Sequence, residues 1–146
     1  MTIPLYTIGF TKKTAEQFFT ALQKAEVRTL LDLRLNNVSQ LAGFTKRDDL
    51  RYFLKEICHA RYLHLPQCAP TKEILDTYQH GGRDWEVYVA DFLPLISERK
   101  IETLLTPDLL DHGCLLCSEP TPERCHRRLV AEYMKERLPD VRIAHL

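Results

Sequence analysis

Leu115-Leu-Cys-Ser-Glu-Pro-Thr-Pro-Glu-Arg-Cys-His-Arg-Arg-Leu-Val-Ala-Glu-Tyr-Met134 joins an apolar run to a basic run patterned as a helix. The first part predicts a strand over 114–119. Thr121 reads as an N-cap, with Pro122 at the first helical position, and the helix it would open runs to about 138. Leu129, Val130, Tyr133 and Met134 make the apolar stripe of that helix. A strand passing through a short polar loop into a helix is the building unit of a parallel sheet.

The same alternation continues on both sides of this stretch. Upstream, a short apolar strand over 5–9 ends at Gly9, and a helix over 14–26 carries Phe18, Phe19, Leu22 and Ala25 at helical spacing. A second strand over 29–33 closes on Arg34. A polar loop over 36–43 leads to a helix over 46–59, with Leu50, Phe53, Leu54 and Ile57 on one face. A third strand over 62–65 is stopped by Pro66. Residues 71–111 form a mostly helical insertion between the third and fourth strands. Gly81-Gly82 divides it, and Pro94 marks a kink or break. Downstream, 141–145 is a last strand. The expectation is a single α/β domain over 1–146, a mainly parallel Rossmann-like sheet with helices on both faces.

Bulk composition suits that reading. A chain of 146 residues with 45% hydrophobic and 27% charged residues can build one core. Twenty basic and twenty acidic residues cancel, so any attraction for an anion has to be local. No window is apolar enough to span a bilayer, no secretion signal is legible, and five cysteines in a chain of this size read as reduced thiols. The expectations are a cytoplasmic protein, no membrane partner and no particular oligomeric state.

Ligands of open parallel sheets sit beyond the carboxyl ends of the strands. Here those ends carry Gly9, Arg34, His64 with Pro66, and Cys117 with Glu119. On a strand, Cys117 and Glu119 share a face. Cys125 and His126 lie one turn before Leu129 and Val130 and are expected to point at the sheet, with Arg127 and Arg128 flanking the open side of the crevice. A helix N-terminus with Arg34 and one or both of Arg127 and Arg128 makes an anion pocket. The same surroundings favour a thiolate, so Cys117 or Cys125 reads as a nucleophile, a redox centre or a metal ligand. Glu119 and His126 would move protons.

Zinc or iron is possible as a cofactor. Cys114-x-x-Cys117 is a poor knuckle, because residues three apart on a strand face opposite ways. A set of Cys117, Glu119, Cys125 and His126 is the better ligand arrangement. The loop also makes a poor phosphate cradle, since Pro120 and Pro122 remove two N–H donors. Each residue has a plainer reading as well: buried apolar thiols, a satisfied core histidine, solvated arginines, and an Asp32–Arg34 pair closed on itself.

Taken together, Leu-Leu-Cys-Ser-Glu-Pro-Thr-Pro-Glu-Arg-Cys-His-Arg-Arg (115–128), Tyr6-Thr-Ile-Gly9, Leu31-Asp-Leu-Arg34 and Tyr62-Leu-His-Leu-Pro66 resemble the family catalogued as domain of unknown function 488. The resemblance covers nearly the whole chain. It is closest to a subgroup with Arg-Leu-Asn-Asn-x-Ser-Gln-Leu-Ala-Gly-Phe (34–44) and Ala-Pro-Thr-Lys-Glu (69–73). Phe10 stands where many members carry histidine, and Gln-Cys-Ala-Pro (67–70) where many carry Leu-Gly-Gly. The resemblance implies the α/β fold and the position of the site, and it names no reaction.

Three functions follow as expectations. The first is an enzyme acting on a small anionic or nucleotide-like substrate, in the class of thiol- or metal-dependent hydrolases or transferases. Its catalytic residues would be Cys117, Glu119, Cys125 and His126. Its substrate would be held by Arg34, Asn36, Asn37, Gln40, His64, Arg127 and Arg128. The second is a nucleic-acid-binding or repair-associated module using a stripe of Arg124, Arg127, Arg128 and Lys135. The third is a metal-binding protein. Trp85 and Tyr88 of the insertion could stack on a ligand or pack in the core.

Overall fold

The computed structural model describes residues 1–38 and 43–146. Five strands, β1 (Ile3–Gly9), β2 (Thr29–Asp32), β3 (Arg61–His64), β4 (Gly113–Cys117) and β5 (Val141–His145), form one sheet in the order β3-β2-β4-β1-β5. Every pairing is parallel. The helices are α1 (Ala15–Lys24), α2 (Arg47–Phe53), α3 (Lys72–His80), α4 (Trp85–Glu98), α5 (Pro107–Leu110) and α6 (His126–Arg137).

The direction of travel across the sheet decides which face each helix covers. From β1 the chain moves through α1 to β2 and through α2 to β3. It then returns through α3, α4 and α5 to β4, and moves on through α6 to β5. Right-handed crossovers running in opposite directions lie on opposite faces. The two cores agree with this. Ile8, Leu30, Cys114 and Leu116 pack with Phe18, Phe19 and Leu22 of α1 and Leu50 of α2. Leu5, Leu31, Leu115 and Val141 pack with Phe92 and Ile96 of α4 and Leu129, Val130 and Met134 of α6. Alternate residues along each strand thus feed alternate cores. The loops leaving β1 and β4, which are neighbours, go to opposite faces, and a crevice opens between them.

The expected α/β architecture and the helical insertion stand. Several local expectations change. The second helix is interrupted: α2 passes into a single π turn, Leu54–Cys58, closed by His59 in the left-handed region at φ 52°. Helix α4 runs through Pro94 without a break. The strand β4 stops at Cys117, and α6 starts at His126, with Cys125 as its N-cap in extended conformation. Thr121 and Pro122 therefore do not open the helix. The intervening loop has to return Cys125 to the end of β4, and a helix begun at Thr121 would turn it away.

Candidate functional site

Cys117 is the last residue of β4 and Cys125 the first beyond the loop; both are buried. They are joined as a disulfide whose Cα atoms stand 7.5 Å apart. Strand alternation places Cys117 on the α4–α6 side and sends Cys114 into the other core, where its thiol is free. Cys114 and Cys117 thus do not form a common metal knuckle.

Arg127 lies beneath this pair with none of its surface exposed. Its Nη1 donates to the Glu119 carbonyl at 2.7 Å and approaches Cys117 Sγ at 3.4 Å and Cys125 Sγ at 3.6 Å. Its Nε donates to Thr7 Oγ1, which also bonds His145 Nδ1 at 2.6 Å. Nη2 is buried without a partner, and among the described residues no carboxylate lies within ion-pair distance of Arg127. Burial lowers the guanidinium pKa, and Cys114, Glu119 and Glu123 act against that. Arg127 also helps burial lower the pKa of Lys13.

The loop that roofs Arg127 crosses the end of β1 at Gly9. A Cβ built there would stand 1.6 Å from the Glu119 carbonyl oxygen and 2.9 Å from Arg127 Nη1. Gly9 is required by this close approach, because any side chain would push the loop off the arginine.

His126 opens α6 and packs edge-on against Phe92. Its Nε2 lies 2.7 Å from the Leu33 carbonyl oxygen. That oxygen can only accept, so Nε2 carries the hydrogen and the neutral ring keeps its lone pair on Nδ1. Burial holds the imidazole pKa down at about 4, outweighing the bond to Leu33, so the ring is neutral at pH 7.

At the end of β2, Arg34 grips its own strand. Its Nε and Nη2 donate to the two oxygens of Asp32 at 2.9 and 2.8 Å, and Nη2 also donates to the Thr45 carbonyl. The Tyr62 hydroxyl donates to Asp32 and accepts from Asn37 Nδ2. The guanidinium lies over the Phe10 ring. This buried pair is the closed-on-itself arrangement, with the arginine charge matched by Asp32.

These pieces border a cavity of about 280 Å³ at the carboxyl ends of the strands. Arg34, Asn36, Cys117, Glu119, Cys125 and His126 line it, so six of the expected residues meet there. Asn37 and His64 do not line it. Asn37 bonds Tyr62, and His64 Nε2 bonds the Arg34 carbonyl. Arg127 is buried under the centre instead of flanking the open side. Arg128 donates to the Glu123 carbonyl, lies 3.3 Å from Glu132 without hydrogen-bond geometry at Nε, and rests over Trp85. Gln40 lies outside the described residues. Glu119 turns an exposed side chain to the cavity, while the close ligand cluster consists of Cys117, Cys125 and His126 alone.

The insertion supplies the opposite wall with Tyr78, Arg83, Trp85 and Tyr88. Trp85 and Tyr88 stack at 11° with centroids 5.0 Å apart, and Arg83 lies over Tyr78. Tyr78, Arg83, Arg124 and the buried Thr7–Arg127 link are absent from the expected site. No local pattern marks them: Tyr78 and Arg83 reach the strand ends only after the insertion folds back, and Thr7 meets Arg127 only across the sheet.

The fold and the site define an α/β protein with a cysteine–histidine centre at the carboxyl edge of a parallel sheet. Residues 14–134 match the family model described as Domain of unknown function DUF488. The chain belongs to that family. No curated protein and no solved structure matches it.

Proposed function

We propose that this protein is an enzyme acting on a small, planar, anionic substrate, with thiolate chemistry at Cys117 and Cys125. The observation that carries this reading is Arg127, a buried cation lacking a carboxylate partner among the described residues, with Nη1 against both sulfurs. A buried charge without a partner is costly, and a neighbouring group that can become an anion relieves the cost. Reduction of the disulfide supplies such a group. The thiolate then formed is favoured by Arg127 and by the N-terminus of α6.

The cavity supports the substrate class. Its aromatic wall offers stacking area, and Arg83 and Arg124 make no ion pair among the described residues. Its volume suits a compact ligand better than a polymer. The basic stripe that a nucleic-acid reading needs is interrupted, since Arg127 is buried and Arg128 is engaged by Glu123 and Glu132.

Iodoacetamide labelling of the reduced, chelator-treated protein at neutral pH, mapped by mass spectrometry, tests the reading. Cys117 or Cys125 should react at least about tenfold faster than Cys58, Cys68 and Cys114, and Arg127→Met should remove most of that advantage. Burial pushes the Cys68 thiol up to about 12 and raises those of Cys58 and Cys114 as well. Equal labelling of all five cysteines would end the thiolate reading.

A further inference from the structure

We infer that the reduced centre is a three-ligand site for a borderline or soft divalent metal, zinc or ferrous iron. Its ligands are Cys117 Sγ, Cys125 Sγ and His126 Nδ1, and its fourth position faces the cavity. The inference concerns the same centre as the proposed function and names its cofactor class.

Four observations converge on it. The ligand atoms of the three residues lie within 4.8 Å of one another. The cysteine Cα atoms, 7.5 Å apart, exceed the span of about 4.4–6.8 Å usual for a disulfide. Two thiolates bound to one metal at about 2.3 Å hold their sulfurs about 3.7 Å apart, which asks for the wider backbone spacing. The Nε2–H of His126 is given to the Leu33 carbonyl, leaving Nδ1 as the nitrogen able to coordinate. A backbone carbonyl on the far nitrogen is the usual support of a metal-bound histidine. Charge fits as well: two thiolates neutralise a dication, and the charge of the buried Arg127, whose Nη1 reaches both sulfurs, is left for an anion at the open fourth position.

Three protein ligands with a cavity over the fourth position make the arrangement of a working metal site more than of a structural one. Cys117, Cys125 and His126 all line that cavity. Glu119 stays outside the ligand cluster and faces the same space, where a carboxylate can accept a proton from a metal-bound ligand. The site forms by a balanced sequence. A phosphine with water, or a dithiol, gives two electrons and two protons to the Cys117–Cys125 bond and is itself oxidised to phosphine oxide or disulfide, leaving two thiols. The dication then displaces two protons as both sulfurs bind.

The test uses untagged full-length protein, reduced anaerobically with a phosphine and loaded separately with zinc, ferrous iron and cobalt(II). After desalting, about one metal per chain should remain. The cobalt form should show thiolate-to-metal charge transfer and the strong visible bands of four-coordination. Cys117→Ser and Cys125→Ser should each lose the charge-transfer band or halve it, and His126→Ala should weaken retention at least about 100-fold. Cys58→Ser should match the parent, and far-UV circular dichroism certifies that each variant is folded. Reduced, folded protein that retains less than a tenth of an equivalent of any of the three metals would overturn the inference, as would a cobalt band unchanged in both cysteine variants. Fast labelling of the metal-free thiols in that case leaves the proposed function standing. Metal retention with slow labelling removes the thiolate reading alone.

Discussion

Arg127 shows what a residue can become when its partners come from distant parts of the chain. As sequence it is one of three arginines around a Cys-His pair. In the folded protein it is wholly buried, bonded to Thr7 of β1 and to the Glu119 carbonyl, and set against two sulfurs. Tyr62 is a second such case. Burial raises its phenol pKa, with the bond to Asp32 acting in the same direction. The unfolded state, near the ordinary value of 10.0, therefore ionises first. The stability tied to this proton is complete below that value and is lost as pH rises above it. Tyr88 and Tyr133 are shifted the same way, so the contribution of Tyr62 is a difference. Urea midpoints measured at about pH 9 and about pH 11 should fall less in Tyr62→Phe than in the parent.

Elements carry their own signals, and some were legible while others were not. Thr14 and Gln17 form a reciprocal capping box at the start of α1, a pattern that a sequence displays directly. Thr121 displays half of such a pattern and caps no helix; it lies in the loop between β4 and α6. Thr14→Ala should cost about 1 kcal/mol in chemical denaturation, and Thr121→Ala less than about 0.5 kcal/mol. Local propensity favours an α6 start at residue 121, whereas the Cys117–Cys125 link and Arg127 fix the entry at residue 126. Residues 114–117 are all apolar, and the period-2 side-chain direction of a strand is enough to separate Cys114 from Cys117, because that periodicity is local.

At the scale of the whole molecule, the site exists because the insertion returns over the strand ends. Helices α3 and α4 bring Tyr78, Arg83 and Trp85 opposite Cys117, Cys125 and His126. Trp85 is the single tryptophan of the chain and half-buried, so its emission reports this cavity. Opening the Cys117–Cys125 disulfide should brighten it, since disulfides quench nearby indoles. In the reduced protein, phenyl phosphate should quench Trp85 with saturation. Arg83→Ala with Arg124→Ala should weaken that binding about tenfold at low salt and less at high salt. Linear quenching without saturation, or no response to the double substitution, would remove these arginines from ligand binding.

By itself the sequence determined the α/β class, the parallel pairing of the strands, the helical insertion, and the carboxyl edge where Arg34, Asn36, Cys117, Glu119, Cys125 and His126 gather. Periodicity, caps and strand ends are properties of neighbouring residues, so they can be read along the chain. Only the tertiary structure decided that Arg127 is buried, that Arg34 spends its charge on Asp32, that Gly9 must lack a side chain, and that an aromatic wall closes the cavity. Each of these depends on groups brought together across the sheet by crossovers, and distance in space between such groups is not encoded by their distance in sequence.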